Sequence, residues 1–483
     1  MTRFTATSMG NTHRNHSTRS QPSLGPKRQA RDVPNLELAP CRREDTIFNR
    51  WSNVRDNIVR NIDLRHVQMI GCYRAVTKTK YSPTILVFGE HARYPESVKT
   101  SRNTIHNILE AYKLEREVKV DFIEGRVRKT ISDAEVEAES EAESDRDSEI
   151  CVETGAGETG IFLRGVLHRP SMPGQSLALS ENKKTSGTLG GFFEVFLPGS
   201  TKPQTVGITC FHVIDPKEWR KGGIHPDDKS SIHLRVDHPS PRSIEEKTRT
   251  LKREIRGIKT PRFGVSDELI RNGMKIAKGQ EIMYLEAKQQ LTDHRAFLQE
   301  VKSFNPSFGR AWAASGFRNG KVLSIQNGQH QSSTNHDWAL IEVPRERIGS
   351  NITPDGHVLK QGDVSEVLGK EKLCISGQRS GYSEGIYNPL HEAVVMHEIV
   401  DKKVVTVTTI EHSAISRDIN HPFFARPGDS GSLVYTNESH VVVGLLFAGA
   451  INPPWVSCFS HIDDVITDIK HITGATKVRL LQS

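Results

Sequence analysis

Apolar residues recur along this chain with two periods, and the change from one to the other marks its organisation. Ile47, Trp51, Val54, Ile58 and Ile62 stand at helical spacing; His66–Val76 and Thr84–Glu90 then read as strands flanking a turn at Pro83. Glu96–Tyr112 places Val98, Ile105, Ile108, Leu109 and Tyr112 on one side of a helix, and Val118–Ile123 reads as another strand. Residues 46–131 are therefore expected to form a small α+β domain. It holds no constellation to which chemistry attaches, and a pro-domain, an adaptor and a substrate-docking module are all open. Beyond residue 159 the strand pattern dominates: a glycine-punctuated run at Ser186–Leu197, a turn at Pro198–Lys202, then Val206–Ile214, His336–Val343, Leu373–Ile386, Val404–Ile410 and Val441–Ile451. Ser457–Ile472 reads as a strand passing into a helix.

An insert at about 240–302 interrupts that β pattern. Ser243 with Glu246 reads as a capping box before Ile244, Leu251, Ile255 and Ile258, and a second helix over Gln280–Val301 is expected to turn Ile282, Leu285, Leu291, Leu298 and Val301 inward. Ser240–Arg262 carries eight Lys/Arg against three Glu. A lid, a docking surface for a regulatory partner and a structural excursion are the alternatives for it.

Composition changes this picture at two places. Residues 1–45 are rich in Ser, Thr, Asn and Arg, with no acid before Asp32, so too little apolar surface is available to offset the entropy of ordering, and a disordered tail is expected. Such a start also resembles a mitochondrial transit peptide, although it lacks an amphipathic stripe. Residues 132–158 hold the second: Asp133–Glu149 carries nine acids and one Arg, a net −8, so that with a chain total of +7 the remainder carries about +15, and the tract reads as an extended linker. Ser140, Ser144 and Ser148 within it precede acids, as phosphorylation sites can. No nucleic-acid signature accompanies the basic remainder, which is read as a solvated surface.

The longest apolar run is 11 residues, too short for a membrane span, and the N-terminus has no signal-peptide core. Six scattered cysteines (41, 72, 151, 210, 374, 458) form no short-spaced framework and read as free thiols in an intracellular, reducing compartment, cytoplasmic or nuclear.

Candidate chemistry centres on Arg426-Pro427-Gly428-Asp429-Ser430-Gly431-Ser432. Ser430 lies between glycines at a tight bend before an apolar strand, which presents a hydroxyl with little bulk around it. A serine attacks only when a base takes its proton and a third group orients that base. His212, in Val206–Ile214, and Asp337, in His336–Val343, supply the two types, each in a short β-type run.

With these three motifs in the order His, Asp, Ser, the chain resembles the trypsin-like serine proteases of the chymotrypsin fold. Leu373–Ile386 matches that family's second-barrel hairpin as a fourth motif, and the resemblance covers about residues 185–475. It implies an all-β two-barrel protease domain over 159–483 with a helical insert, preceded by the small α+β domain and the disordered tail. It further implies His212, Asp337 and Ser430 as catalytic residues, the backbone N–H groups of Gly428 and Ser430 as an oxyanion hole, and a primary pocket based on Phe424 and walled by Phe447 to Gly449. An aromatic base lacks a carboxylate to pair with Lys or Arg, so small or apolar side chains are the expected preference. The substrate would be a protein or peptide, with no metal or cofactor called for. Nothing near Ile161 resembles the activation terminus of the digestive members, so restraint by the N-terminal region or the insert is expected instead. The alternative is a latent protease-like scaffold acting as an interaction protein.

Overall fold

The computed structural model describes residues 37–77, 80–129, 132–133, 167, 170–214, 222–226, 228, 233–321, 333–400, 403–416, 423–451 and 455–482. The tail before Glu37, the acidic tract from position 134 onward with its three serines, and the boundary near Thr159 lie outside them.

Among the described residues the protein is mostly β-sheet with a helical portion. With strands numbered along the chain, the larger sheet has the order β16 (Leu373–Gly377), β19 (Leu433–Thr436), β20 (Val442–Ile451), β21 (Val456–His461), β18 (Lys403–Ser416), β17 (Gly381–Val400), β2 (Val67–Thr77), β3 (Lys80–Gly89), β4 (Lys119–Glu124). To it are added β1 (Leu38–Ala39), paired with β2, and β5 (Arg126–Lys129), paired with β20. The second sheet has the order β22 (Lys477–Leu480), β9 (Gly191–Phe196), β10 (Gln204–Thr209), β15 (Ala339–Glu342), β12 (Ser307–Ala314), β11 (Arg235–Asp237), β7 (Ser176–Leu179), β8 (Thr185–Thr188), β6 (Ser132–Asp133). A hairpin of β13 (Arg318–Lys321) and β14 (Ser333–His336) stands beside them.

The N-terminal unit continues the larger sheet. Ile70 and Met69 of β2 pair with Ala393 and Val394 of β17. The reason is visible in the run Ile85-Leu86-Val87-Phe88, which has no polar face. Ile85 and Val87 pack with Val54, Ile58, Ile105 and Leu109 of the helices Trp51–Asn61 and Pro95–Ala111, while Leu86 and Phe88 turn the other way into the main core. Both faces of such a strand must be covered, at about 1.5–3 kcal/mol for each large side chain buried. Order also begins before the expected boundary at Thr46. Leu38 and Ala39 pair with Ala75 and Arg74, and Cys41 is buried with its sulfur 3.8 Å from that of Cys72.

The insert is helical, as Pro241–Ile258, Pro261–Arg271 and Lys278–Ser303. Its first cap differs from expectation. Ser240 caps the helix by accepting from Ser243 N–H, with Pro241 in the first turn, which frees Glu246 for a role at the site. The inward face of the long helix is also corrected. Leu291 and Val301 are buried with Tyr284 and Phe297, but Ile282 and Leu285 are exposed, because at that level Tyr284 turns inward, stacked on Phe263 and bonded to Asp267. No described helix is long and apolar enough to cross a membrane.

Candidate active site

The ends of β10 and β15 lie side by side, Thr209 opposite Ala339, and this register brings together two residues 125 positions apart. His212 sits just past β10 in a single helical turn, Phe211–Ile214, and not in the strand itself; Asp337 occupies the link from β14 to β15. One Asp337 oxygen accepts from the His212 backbone N–H at 2.9 Å, and the other lies 2.6 Å from His212 Nδ1. A carboxylate there keeps the proton on Nδ1 and leaves Nε2 as the basic nitrogen. Nε2 is buried and has no hydrogen-bond partner.

Residues that sequence reasoning missed hold Asp337 in place. Trp338 N–H donates to Ser315 Oγ at 2.9 Å, and its indole N–H donates to Asp468 Oδ2 at 2.7 Å. Arg318 completes the arrangement by donating to Asp468 at 2.6 Å, so the C-terminal helix Ile462–Thr473 braces the Asp337 link. A Trp beside a candidate acid is the only local signal that pointed there.

Ser430 is carried on a turn pressed against these same strands. Gly431, at φ 95°, has no room for a side chain: a Cβ would lie 2.3 Å from the Thr188 carbonyl. Leu446 O joins the two regions, accepting from Gly431 N–H at 2.9 Å and from the Cys210 thiol at 3.1 Å. The next carbonyl along β20, that of Phe447, accepts the Ser430 hydroxyl at 3.1 Å. The structure thus brings His212 and Asp337 into direct contact and Ser430 onto the adjoining strands, with its hydroxyl bonded to Phe447 and not to Nε2.

The turn is further fixed by Asp429, whose carboxylate accepts from the backbone N–H groups of Arg379 (2.8 Å), Ser380 (3.2 Å) and Arg426 (2.8 Å) and from the Ser380 hydroxyl. Gly428, at φ 111°, points its carbonyl to Thr188 Oγ1 (2.9 Å) and Gln378 Nε2 (2.8 Å). Arg379 also donates to Glu246 at 3.0 Å, and Glu246 accepts from Arg242 at 2.8 Å. Burial would raise the Glu246 carboxyl, but the two guanidinium groups outweigh it and hold it below its ordinary value. The insert is therefore wired to the Ser430 turn through Glu246, Arg379 and Asp429.

Phe424, Phe447 and Gly449, the residues expected to form a pocket, are all buried, and the Phe424 ring lies where a side chain on Gly385 would have to go. Cys210, His212 and Asp337 offer ligand atoms within 4.8 Å of one another. A cation held by all three would displace the His212 Nδ1–Asp337 contact and the Cys210 thiol's bond to Leu446 O, so the arrangement suits proton transfer better than metal binding. Exposure is the unexpected property: Ser430 is 0 % accessible and His212 and Asp337 2 % each.

No family model matches the chain. No curated protein matches it either. Among solved structures it is similar to Thermobifida fusca Protease A, at 13% identity over 65% of this chain and 98% of that one, with a TM-score of 0.26.

Proposed function

We propose that the protein is a serine endopeptidase, built on two β-barrels to which the two sheets correspond, that hydrolyses peptide bonds through Ser430, His212 and Asp337. The observation that carries this reading is the oriented, unpartnered His212 Nε2 on the strands that also anchor Ser430. A buried histidine nitrogen without a partner costs about 1–3 kcal/mol; His66 and His91 each hold one too, but their other nitrogens face Ser97 and the Val87 carbonyl, whereas that of His212 faces a carboxylate. In the working state the Ser430 hydroxyl exchanges Phe447 O for Nε2. Its oxygen then attacks the substrate carbonyl carbon while Nε2 takes the proton and passes it to the leaving amine; water releases the acyl group by the reverse path. Asp337 keeps Nδ1 protonated and stabilises the imidazolium. The N–H groups of Gly428 and Ser430 receive the oxyanion, worth about 3–4 kcal/mol per donor. Phe424 with Phe447 and Gly449 favours small or apolar side chains, and the insert is the place for a regulatory partner.

Burial of the Ser430 side chain favours a second reading, a latent scaffold that acts by interaction. Labelling with a fluorophosphonate probe separates them. Full-length protein is expected to label and Ser430→Ala and His212→Ala to lose the label. The endopeptidase reading fails if label persists in either variant, or if neither the folded wild type nor folded Arg128→Pro, which breaks the strand beside Phe447, takes up any.

A further inference from the structure

β20 loses one partner just where a peptide would be needed. β19 pairs with it as far as Leu445, and on the same edge β5 begins at Ala448: Ala448, Gly449, Ala450 and Ile451 stand opposite Lys129, Arg128, Val127 and Arg126. Leu446 and Phe447 lie between: Leu446 exchanges hydrogen bonds with Gly431 and Ser432, and the Phe447 carbonyl holds the Ser430 hydroxyl. Lys129 is therefore one register position from the residue that touches the nucleophile. Val127 N–H turns away from β20 and donates to Gln68 Oε1 at 2.5 Å, so the alternate residues Arg126 and Arg128 direct their main-chain groups at the β20 edge.

The chain reappears on the other side of the same serine. Ser132 and Asp133 pair with Ser186 and Thr185 of β8, and Thr188 at the end of β8 donates its N–H to the Ser430 carbonyl at 2.8 Å. Ser430 is thus tied to β20 by its hydroxyl and to β8 by its carbonyl. Three consecutive peptide links, about 11 Å at full stretch, join Lys129 on the first strand to Ser132 on the second. The segments paired on either side of Ser430 are thus only three positions apart in the chain.

Adding a strand to a free sheet edge is how extended peptides are bound, with main-chain hydrogen bonds supplying affinity. We propose that Arg126–Lys129 with Ser132–Asp133 is the chain's own occupant of its peptide-binding cleft, so that the N-terminal unit holds Ser430 in a self-occupied state. This rests on the endopeptidase reading of Ser430. The root of β5 is built to stay put: Gly125 N–H donates to Gly89 O at 3.1 Å, Ala92 N–H donates to Glu124 at 2.8 Å, and Arg126 pairs with Glu90 at 3.3 Å. A tethered strand of this kind competes at an effective concentration of about millimolar, which an untethered peptide must exceed. Self-occupation also accounts for a His–Asp pair and a serine that are assembled yet sealed from solvent.

The test uses full-length protein with Arg128→Pro, which removes the donor facing Gly449, and Gln68→Ala, which loosens β5 without altering it. Each is made in wild type and in Ser430→Ala. Amide hydrogen exchange is read at Arg126–Lys129 and Ala448–Ile451, with β2 and β3 as the control for folding. In Ser430→Ala both edges are expected to be protected, and adding Arg128→Pro is expected to speed their exchange about tenfold or more, Gln68→Ala about threefold, with β2 and β3 unchanged. Fluorophosphonate labelling of Arg128→Pro is expected to be about tenfold faster than wild type. A cut between Lys129 and Ser132, present in wild type and absent in Ser430→Ala, would support occupancy by showing the segment bound as substrate. Self-occupation is overturned if Ala448–Ile451 exchange as fast in Ser430→Ala as with Arg128→Pro added, or if wild type labels as fast as Arg128→Pro. Protected edges with no label in any variant would keep the self-occupied strand and sink the endopeptidase reading. Fast, Ser430-dependent labelling with unprotected edges would do the reverse.

Discussion

Among the described residues, two buried clusters of titratable groups differ in how their nitrogens are held. In the first, Asp337 spends both oxygens on His212, which leaves a single nitrogen, Nε2, basic and unpartnered. In the second, His391, His412 and His461 pack ring to ring at centroid distances of 4.5 and 5.1 Å, and the Tyr387 hydroxyl lies 3.2 Å from His391 Nε2 and 2.8 Å from His412 Nδ1. Burial there drives the proton off: His391 is lowered to about 3 and His412 well below its ordinary value. The neighbouring Glu392, which accepts from Ser413 at 2.6 Å and Asn388 at 2.9 Å, is pushed by burial up to about 7. Histidines in a core are thus no sign of chemistry by themselves. What separates the clusters is a carboxylate in direct contact with one nitrogen that leaves the other without a partner, against rings that face one another and a tyrosine hydroxyl and that burial keeps uncharged.

The comparison breaks first at Asp337. Asp337→Asn preserves shape but no longer holds the proton on Nδ1, and the labelling rate is expected to fall about 10⁴-fold with little change in melting temperature. An Asn variant that labels at the wild-type rate would place the first cluster with the second. Glu411 gives the next largest effect. It is buried, accepts from Thr334 Oγ1 and Asn335 N–H at 2.8 Å each, and is raised by that burial to about 8. Its folded value lies above its unfolded one, so its contribution is fully present below about pH 4.5 and lost as pH climbs through 8. Glu411→Gln is expected to match wild type near pH 5 and to exceed it by on the order of 3 kcal/mol at pH 8.5 in denaturant unfolding. A stability difference that does not change with pH would rule this out.

Smaller effects sharpen the contrast. Tyr387→Phe takes a hydrogen-bonding hydroxyl from between two buried rings and is expected to cost about 1–2 kcal/mol of stability while leaving labelling unchanged. If labelling drops with it, the second cluster is coupled to the first. Glu246→Gln weakens the partially exposed link through Arg379 to the Ser430 turn, and a stability loss below about 1 kcal/mol is expected, with labelling slowed a few-fold.

Local pattern and turn chemistry carry a large share of what is seen. The helix over Lys278–Ser303 follows from spacing alone, as does the alternation that sends Leu86 and Phe88 one way and Ile85 and Val87 the other. The motif around Ser430 could be read because its glycines answer a backbone demand that is local: Gly431 at φ 95° accepts no other residue without strain. His212 and Asp337 were legible as residue types in order, and their contact depended on the β10–β15 register. The inward positions of the long helix were misjudged at Ile282 and Leu285, because spacing there admits more than one face and the contacts of Tyr284 with Phe263 and Asp267 decided between them.

Tertiary structure alone decided which distant segments meet. Nothing near Asp429 announces Arg379 and Ser380 as its partners, and nothing near Trp338 announces Asp468. Most of all, Arg126–Lys129 reads as an ordinary charged stretch before an acidic tract, and only the edge of β20, more than 300 residues away, makes it a strand beside Ser430. A strand's propensity is written in its own residues, but its partner is set by whichever edge is free, complementary in twist and within reach once the rest has packed.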